Sequence, residues 1–107
     1  MCLVQADGRI AVHTVDRLEE ACHLDCILAI DQGTTGSRAV LYRIDGTVAG
    51  SAYREFSQYF PRPGWVEHDP MELWTNVVGC VRDVLGCTPG ARVVCIGVTN
   101  QRETVVV

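Results

Sequence analysis

The sequence predicts an α/β fold built from β-hairpins, one amphipathic helix and one parallel strand. Two observations predict the hairpins: β-rich runs flank a Gly/Thr segment at residues 31–37, and two further runs flank the dipeptide Asp45-Gly46. A third observation predicts the helix and the last strand, because apolar residues recur at helical spacing over 71–85 and the apolar run 93–98 follows them.

The first three strands are predicted from short apolar or β-rich runs. Residues 27–30 form an apolar run of the kind found in buried strands. The next two strands are expected at 39–44 and 47–53, on either side of the hairpin dipeptide. The segment 31–38, which joins the first strand to the second, is therefore expected to be a hairpin turn itself.

This first turn has the groups that a phosphate-binding loop needs. Gly33 and Gly36 can adopt positive φ and let the backbone approach a ligand, while successive N–H groups in such a turn form an anion-binding concavity. Three side chains add hydroxyl donors: Thr34, Thr35 and Ser37. The chain has no Gly-Lys-Ser or Gly-Lys-Thr element, so this is not a Walker loop. An ordinary Gly/Thr turn without a ligand is the alternative.

A charged side chain stands at each end of the turn. Arg38 offers a planar guanidinium that suits phosphate oxygens. Asp31 is the first polar residue after the apolar run and is suited to hold Mg²⁺ through water, because Mg²⁺ dehydrates reluctantly.

The helix has start and stop signals. Asp69 is the predicted N-cap, Pro70 suits the first helical position, and Glu72 is spaced for a capping box. Gly86 and Pro89 end it. The apolar stripe of the helix consists of Met71, Trp74, Val77, Val78, Val81, Val84 and Leu85.

Aromatic and cysteine side chains near this helix are predicted to be structural. Trp65 and Trp74 are expected to pack, and His68 is assigned a structural role because it stands beside the helix cap. Cys80 in the helix and Cys95 in the last strand are expected to act as small hydrophobes.

Three motifs together resemble a known family. They are the turn 31–38, the segment 61–70 (PRPGWVEHDP) and the segment 93–104, which ends in Asn-Gln-Arg-Glu-Thr. In this order and spacing they closely resemble the amino-terminal part of the glycerol kinases, within the FGGY family of carbohydrate kinases. The resemblance implies a partial first lobe of the actin/hexokinase/Hsp70-like (ribonuclease H-like) kinase fold. It makes residues 26–107 a truncated N-terminal domain and residues 1–25 an extension.

The resemblance also implies a nucleotide site for ATP and Mg²⁺. The acid that matches Asp31 lies at the Mg²⁺-nucleotide site, and the residues that match Thr34 and Thr35 contact phosphate groups. The arginine that matches Arg38 also serves the nucleotide. Gly36 stands where many relatives carry serine, so one hydroxyl is lost and a backbone N–H is kept.

Arg102 and Glu103 match the pair that binds the hydroxyls of glycerol. A small triol offers only hydroxyls, which a multi-donor guanidinium and an acceptor carboxylate can hold. The pair follows an apolar run, where α/β sheets place their ligands. Because neighbouring residues of a regular strand point to opposite faces, the backbone must be irregular there. Two solvated surface charges are the alternative.

The resemblance implies a phosphotransferase that makes glycerol 3-phosphate from glycerol and ATP. The catalytic base and the adenine pocket of the family lie beyond residue 107, so this chain is expected to hold no catalytic residue and to be inactive alone. The apolar run 104–107 looks like a strand cut short. A kinase for another polyol or sugar is one alternative. A non-catalytic fragment that binds a partner through an exposed strand edge is another.

Composition argues against two classes of partner. The net charge of −4 includes no basic run, which argues against nucleic acid. No stretch approaches the ~18 apolar residues of a membrane span.

Six cysteines without paired Cys-x-x-Cys motifs suggest reduced thiols in a cytoplasmic protein. The resemblance implies that the full-length protein is a homo-oligomer. Before residue 25, a hairpin at 3–12 and a short helix at 16–24 are predicted.

Overall fold

A computed structural model describes residues 23–102 and 104–107 of the chain. These residues form a four-stranded sheet and one helix, which confirms the predicted α/β fold. The elements in chain order are β1 (Leu24–Gln32), β2 (Gly36–Arg43), β3 (Val48–Glu55), α1 (Pro70–Gly86) and β4 (Ala91–Thr99).

The sheet has the order β3-β2-β1-β4. β1 pairs antiparallel with β2, and β2 pairs antiparallel with β3, so the first three strands form two successive hairpins. β4 returns beside β1 and runs parallel to it, as predicted. The carboxyl ends of β1 and β4 therefore lie at the same end of the sheet as the β1–β2 turn.

The core lies between α1 and one face of the sheet. α1 packs against β2 and β3 and has few contacts with β1. Alternation along β2 directs its odd-numbered residues toward the helix, and its even-numbered residues toward the open face. The buried residues of this core are Cys26, Leu28, Ala39, Leu41, Cys80 and Val84.

The helix begins as predicted, but its capping box does not form. The carboxylate of Asp69 accepts hydrogen bonds from the N–H groups of Met71 at 2.8 Å and Glu72 at 3.4 Å. The carboxylate of Glu72 turns away from the cap and accepts from the N–H and hydroxyl of Ser57, at 3.0 and 3.2 Å. Glu72 therefore fastens the start of α1 to the chain that leaves β3.

The predicted apolar stripe is wrong at the start of the helix. Cys80 and Val84 are buried, whereas Met71 and Trp74 are 65% and 63% exposed. The reason is that α1 lies mainly over β2 and β3, so only the residues on the sheet-facing side of the helix are buried. Trp65, in the loop before the helix, is 53% exposed, and the prediction that both tryptophans pack is wrong.

Other structural predictions have mixed outcomes. His68 packs edge-on against Phe56, with ring centroids 5.1 Å apart, as its structural role predicts. Cys95, which is predicted to act as a small hydrophobe, is instead exposed, because it is in register with Ile27 on the face of the sheet away from α1. The cysteines within the described residues are free thiols: Cys26, Cys80, Cys87 and Cys95.

The predicted hairpin at 3–12 lies outside the described residues, as does most of the predicted helix at 16–24. Leu24, at the end of that helix, is instead the first residue of β1. Among the described residues, no helix has the length and hydropathy to cross a bilayer.

Candidate functional site

The β1–β2 turn is a tight hairpin at the carboxyl end of β1. The N–H of Gly33 donates to the carbonyl oxygen of Gly36 at 3.0 Å and closes the turn. Immediately before it, Gln32 is opposite Ser37 across the two strands. The segment predicted to bind phosphate is therefore a hairpin turn, as expected.

Thr34 and Thr35 form the tip of this turn and are exposed. Their N–H groups donate no hydrogen bond to any described residue. The tip therefore offers two backbone donors and two hydroxyls with no partner in the described part of the chain. Successive backbone donors in a turn can form a binding site for an anion such as phosphate.

Ser37 does not contribute a hydroxyl to this tip, so that prediction is wrong. It is fully buried, because strand alternation places it on the helix face of the sheet. Its hydroxyl donates to Oε1 of Gln32 at 2.8 Å, and its carbonyl oxygen accepts from the thiol of Cys80 at 3.3 Å. Burial raises the pKa of the Cys80 thiol, so it remains protonated.

The two glycines of the turn are not needed for positive φ. Among the described residues, glycines with positive φ occur at other turns: Gly46, Gly64 and Gly90. A Cβ on Gly33 would stand 3.1 Å from the carbonyl oxygen of Gly36. Close approach across the turn, rather than backbone conformation, therefore accounts for glycine here.

Asp31 and Arg38 lie in one row across the open face of the sheet. Arg38 is opposite Asp31 on one side and opposite Tyr53 on the other, and Asp31 is beside Thr99 of β4. The guanidinium carbon of Arg38 stands 5.5 Å from the centre of the Tyr53 ring, within range of a cation–π contact. The backbone of Asp31 belongs to the sheet, but its carboxylate makes no hydrogen bond or ion pair with a described residue.

The donor set suits Mg²⁺ only together with a nucleotide. The described residues contain no cluster of three or more side chains able to hold a metal. Asp31 nevertheless presents an exposed carboxylate close to the unpartnered donors of the turn. Mg²⁺ is commonly held by one or two carboxylates together with substrate phosphates and waters, and Asp31 fits that pattern.

The chain leaves β4 at Thr99 and continues in irregular backbone. Arg102 lies in this irregular segment and is exposed. Glu103 lies outside the described residues. Parallel pairing of β1 with β4 brings Arg102 to the end of the sheet that carries the β1–β2 turn.

Gln101 links the segment after β4 to the β1–β2 turn, and the sequence analysis gave it no role. Its Nε2 donates to the carbonyl oxygen of Gly33 at 2.8 Å, across 68 positions of sequence. Its Oε1 accepts from the hydroxyl of Thr104 at 2.8 Å. An amide beside Arg102 was the only sequence signal; the contact itself depends on the parallel pairing of β4.

Comparison with known proteins identifies relatives of this chain. The model of the FGGY family of carbohydrate kinases, N-terminal domain, matches residues 26–107. A glycerol kinase of Oceanobacillus iheyensis is 54% identical over 83 residues, which are 76% of this chain and 17% of that protein. The chain thus spans about a sixth of the length of the curated relatives it matches.

Solved structures show the same relation. A Plasmodium falciparum glycerol kinase with ADP matches with a TM-score of 0.68 and 34% identity, over 76% of this chain and 17% of that one. A xylulose kinase from Rhodospirillum rubrum matches with a TM-score of 0.66 and 34% identity, over 71% and 16%. This chain therefore belongs to the FGGY family of carbohydrate kinases and is similar to the N-terminal domain of its glycerol kinases.

Proposed function

We propose that this chain is the amino-terminal segment of a glycerol kinase, which transfers the γ-phosphate of ATP to glycerol and yields glycerol 3-phosphate. One observation carries the proposal. The β1–β2 turn and Arg102 lie at the same end of the sheet, because β1 pairs in parallel with β4. The hydrogen bond from Gln101 to Gly33 reinforces this arrangement. A phosphoryl transfer needs its two substrates side by side in this way.

The turn is the proposed phosphate-binding element. The hydroxyls and free N–H groups of Thr34 and Thr35 would bind phosphate oxygens, with the N–H of Gly36 as a further donor. Arg38 would add charge, held in place by the Tyr53 ring. Asp31 would orient Mg²⁺ through water, and the bound ion would neutralise charge that develops on the phosphates.

Arg102 and Glu103 are the proposed glycerol contacts. The guanidinium would donate to hydroxyl oxygens, while the carboxylate would accept from hydroxyl protons. We expect the catalytic base to lie outside this segment, so these residues would bind and orient glycerol without moving its proton. We accordingly expect no glycerol-dependent ATP turnover from the isolated 107-residue chain.

A chimera tests the proposal directly. Residues 26–107 replace the matched segment of the Oceanobacillus iheyensis glycerol kinase, so that this chain's residues act within a full-length enzyme. We expect ATP-dependent phosphorylation of glycerol in preference to xylulose. A folded chimera with no turnover on either substrate would contradict the assignment, whereas preference for xylulose would favour the alternative of another sugar kinase.

Two arginine variants of the chimera separate substrate binding from general charge. Arg102→Ala should lower kcat/KM for glycerol by about tenfold or more, since hydrogen bonds from a charged donor are lost. Arg43→Ala is the matched control, because Arg43 ends β2 at the opposite end of the sheet. An equal effect of both substitutions would contradict the role of Arg102.

We also propose that the whole protein is a cytoplasmic homo-oligomer.

The alternative function is partner binding through the edge of the sheet. It is favoured by β4, an edge strand on which Ile96 and Val98 are 58% and 70% exposed. Concentration-dependent association of the 107-residue chain in light scattering would support it, and a stable monomer would count against it.

A further inference from the structure

Gly36 and Tyr53 share one space beside the proposed phosphate-binding turn. Tyr53 lies on β3 opposite Arg38. Arg38 follows Gly36 by two residues along β2, so all three residues are on the same face of the sheet. A Cβ built on Gly36 would stand 2.5 Å from Cζ of the Tyr53 ring and 2.6 Å from Cε2, and closer still to the hydroxyl oxygen. A side chain at position 36 would therefore require the exposed ring of Tyr53 to move.

Glycine at this position leaves room for the ring of Tyr53 as it stands. Gly36 does not have positive φ, so its backbone conformation is open to any residue. A serine at position 36 would collide with the ring in its present position. Glycine at 36 and tyrosine at 53 are thus sterically compatible neighbours.

The orientation of the Tyr53 ring also places its hydroxyl at the candidate nucleotide site. Its face meets the guanidinium of Arg38 at 5.5 Å, and its hydroxyl lies over Gly36 at the start of β2. Tyr53 is 47% exposed, so the side chain is not sequestered in the core. A phenol hydroxyl both donates and accepts hydrogen bonds, so it is suited to a phosphate oxygen.

We infer that Tyr53 is a nucleotide-binding residue of this chain, whose hydroxyl takes the place of the one that Gly36 lacks. Ser37, the other hydroxyl near this position, is buried and bonded to Gln32. The inference rests on the proposed function, because it assigns Tyr53 to the phosphates of the same nucleotide.

The chimera described above provides the test. Tyr53→Phe keeps the ring and its contact with Arg38 but removes the hydroxyl, so KM for ATP should rise about tenfold. KM for glycerol and the melting temperature should stay unchanged, which a purely structural tyrosine would not explain. Tyr42→Phe is the matched control, because Tyr42 is four residues from Arg38 along β2, about 13 Å away. An unchanged KM for ATP in Tyr53→Phe would overturn the inference.

A double-mutant comparison tests the pairing. Gly36→Ser alone should weaken ATP binding, because the new side chain and the ring compete for one space. Adding Tyr53→Ala should restore much of that loss, since the serine hydroxyl then has room. Additive losses in the double variant would contradict the pairing.

Calorimetric binding of MgATP to the same proteins separates this inference from the proposed function. A chimera that binds MgATP without turnover would contradict glycerol kinase activity, and Tyr53→Phe would still show whether the hydroxyl contributes to binding. A chimera that turns over normally with or without the hydroxyl would overturn the role of Tyr53 and leave the proposed function intact. A folded chimera that binds no MgATP would overturn both.

Discussion

Replacing Gln101 with alanine should loosen the β1–β2 turn from a distance. The side chain donates to the carbonyl oxygen of Gly33 at 2.8 Å, and that oxygen also accepts from Nε2 of Gln32 at 3.2 Å. The carbonyl would keep one donor, so the cost is that of a net hydrogen bond, about 0.5–1.5 kcal/mol, and not the larger penalty of an orphaned acceptor. For a domain of this size, about 1 kcal/mol lowers Tm by about 4–8 °C.

Two measurements on the 107-residue chain check this magnitude. Thermal unfolding gives the global loss. Hydrogen exchange of the Gly33 amide, which is bonded to the Gly36 carbonyl at 3.0 Å, reports the local one and should quicken by about fivefold for about 1 kcal/mol. Gln58→Ala is the matched control, because Gln58 is exposed and makes no side-chain hydrogen bond among the described residues.

The comparison with the control decides the outcome. The contrary outcome is that Gln101→Ala melts at the same temperature as Gln58→Ala, with the same exchange rate at the Gly33 amide. That result would show that the hydrogen bond from Gln101 does not stabilise the β1–β2 turn. Gln101→Glu adds a second comparison, since an ionised carboxylate of similar size cannot donate to the carbonyl and should destabilise at least as much as alanine.

Two further predictions concern stability. Arg92 donates to Asp25 at 2.6 and 2.7 Å, and this hydrogen bonding lowers the pKa of Asp25 below 3.8. The stabilisation is therefore present above pH 3.8 and lost as pH falls through the lower folded-state pKa, so the Tm difference between the parent and Asp25→Asn should vanish in acid. A difference that persists unchanged in acid would refute this. Gly86→Ala should raise stability by about 0.5–1 kcal/mol, because its Cβ meets open space in a helix, whereas Gly46→Ala at φ +86° should lower it by about 1–2 kcal/mol; melting curves with the same sign for both would contradict this reading.

Local signals in the sequence were sufficient for the elements. Asp69 and Pro70 locate the start of α1, because capping depends on neighbouring residues alone. Apolar runs locate the strands, and their predicted ends are within three residues of the observed ones. The exposure of Trp74 could not be predicted, because helical spacing does not show how far the sheet extends beneath a helix.

The site was less accessible to sequence reasoning, because its geometry depends on register. Ser37 looks like one more hydroxyl of the turn, and only the alternation of β2 against the helix shows that it is buried. Gln101 and Gly33 are 68 positions apart, and the contact follows from parallel pairing of β4. Tyr53 joins the turn only through the antiparallel register of β2 and β3.

The central claim is that the β1–β2 turn binds the phosphates and metal of a kinase, and Asp31→Asn in the chimera tests it most directly. Asp45→Asn is the matched control: Asp45 stands in the β2–β3 turn at the other end of the sheet, where its Oδ1 accepts from the N–H and hydroxyl of Thr47 at 2.9 and 2.7 Å. Asparagine at position 45 keeps an oxygen that can accept these hydrogen bonds. Asparagine at position 31 removes the carboxylate charge that we propose to act on Mg²⁺. We predict that Asp31→Asn lowers kcat/KM for MgATP by about tenfold or more, while Asp45→Asn leaves it unchanged. Equal activity of the two variants would contradict it.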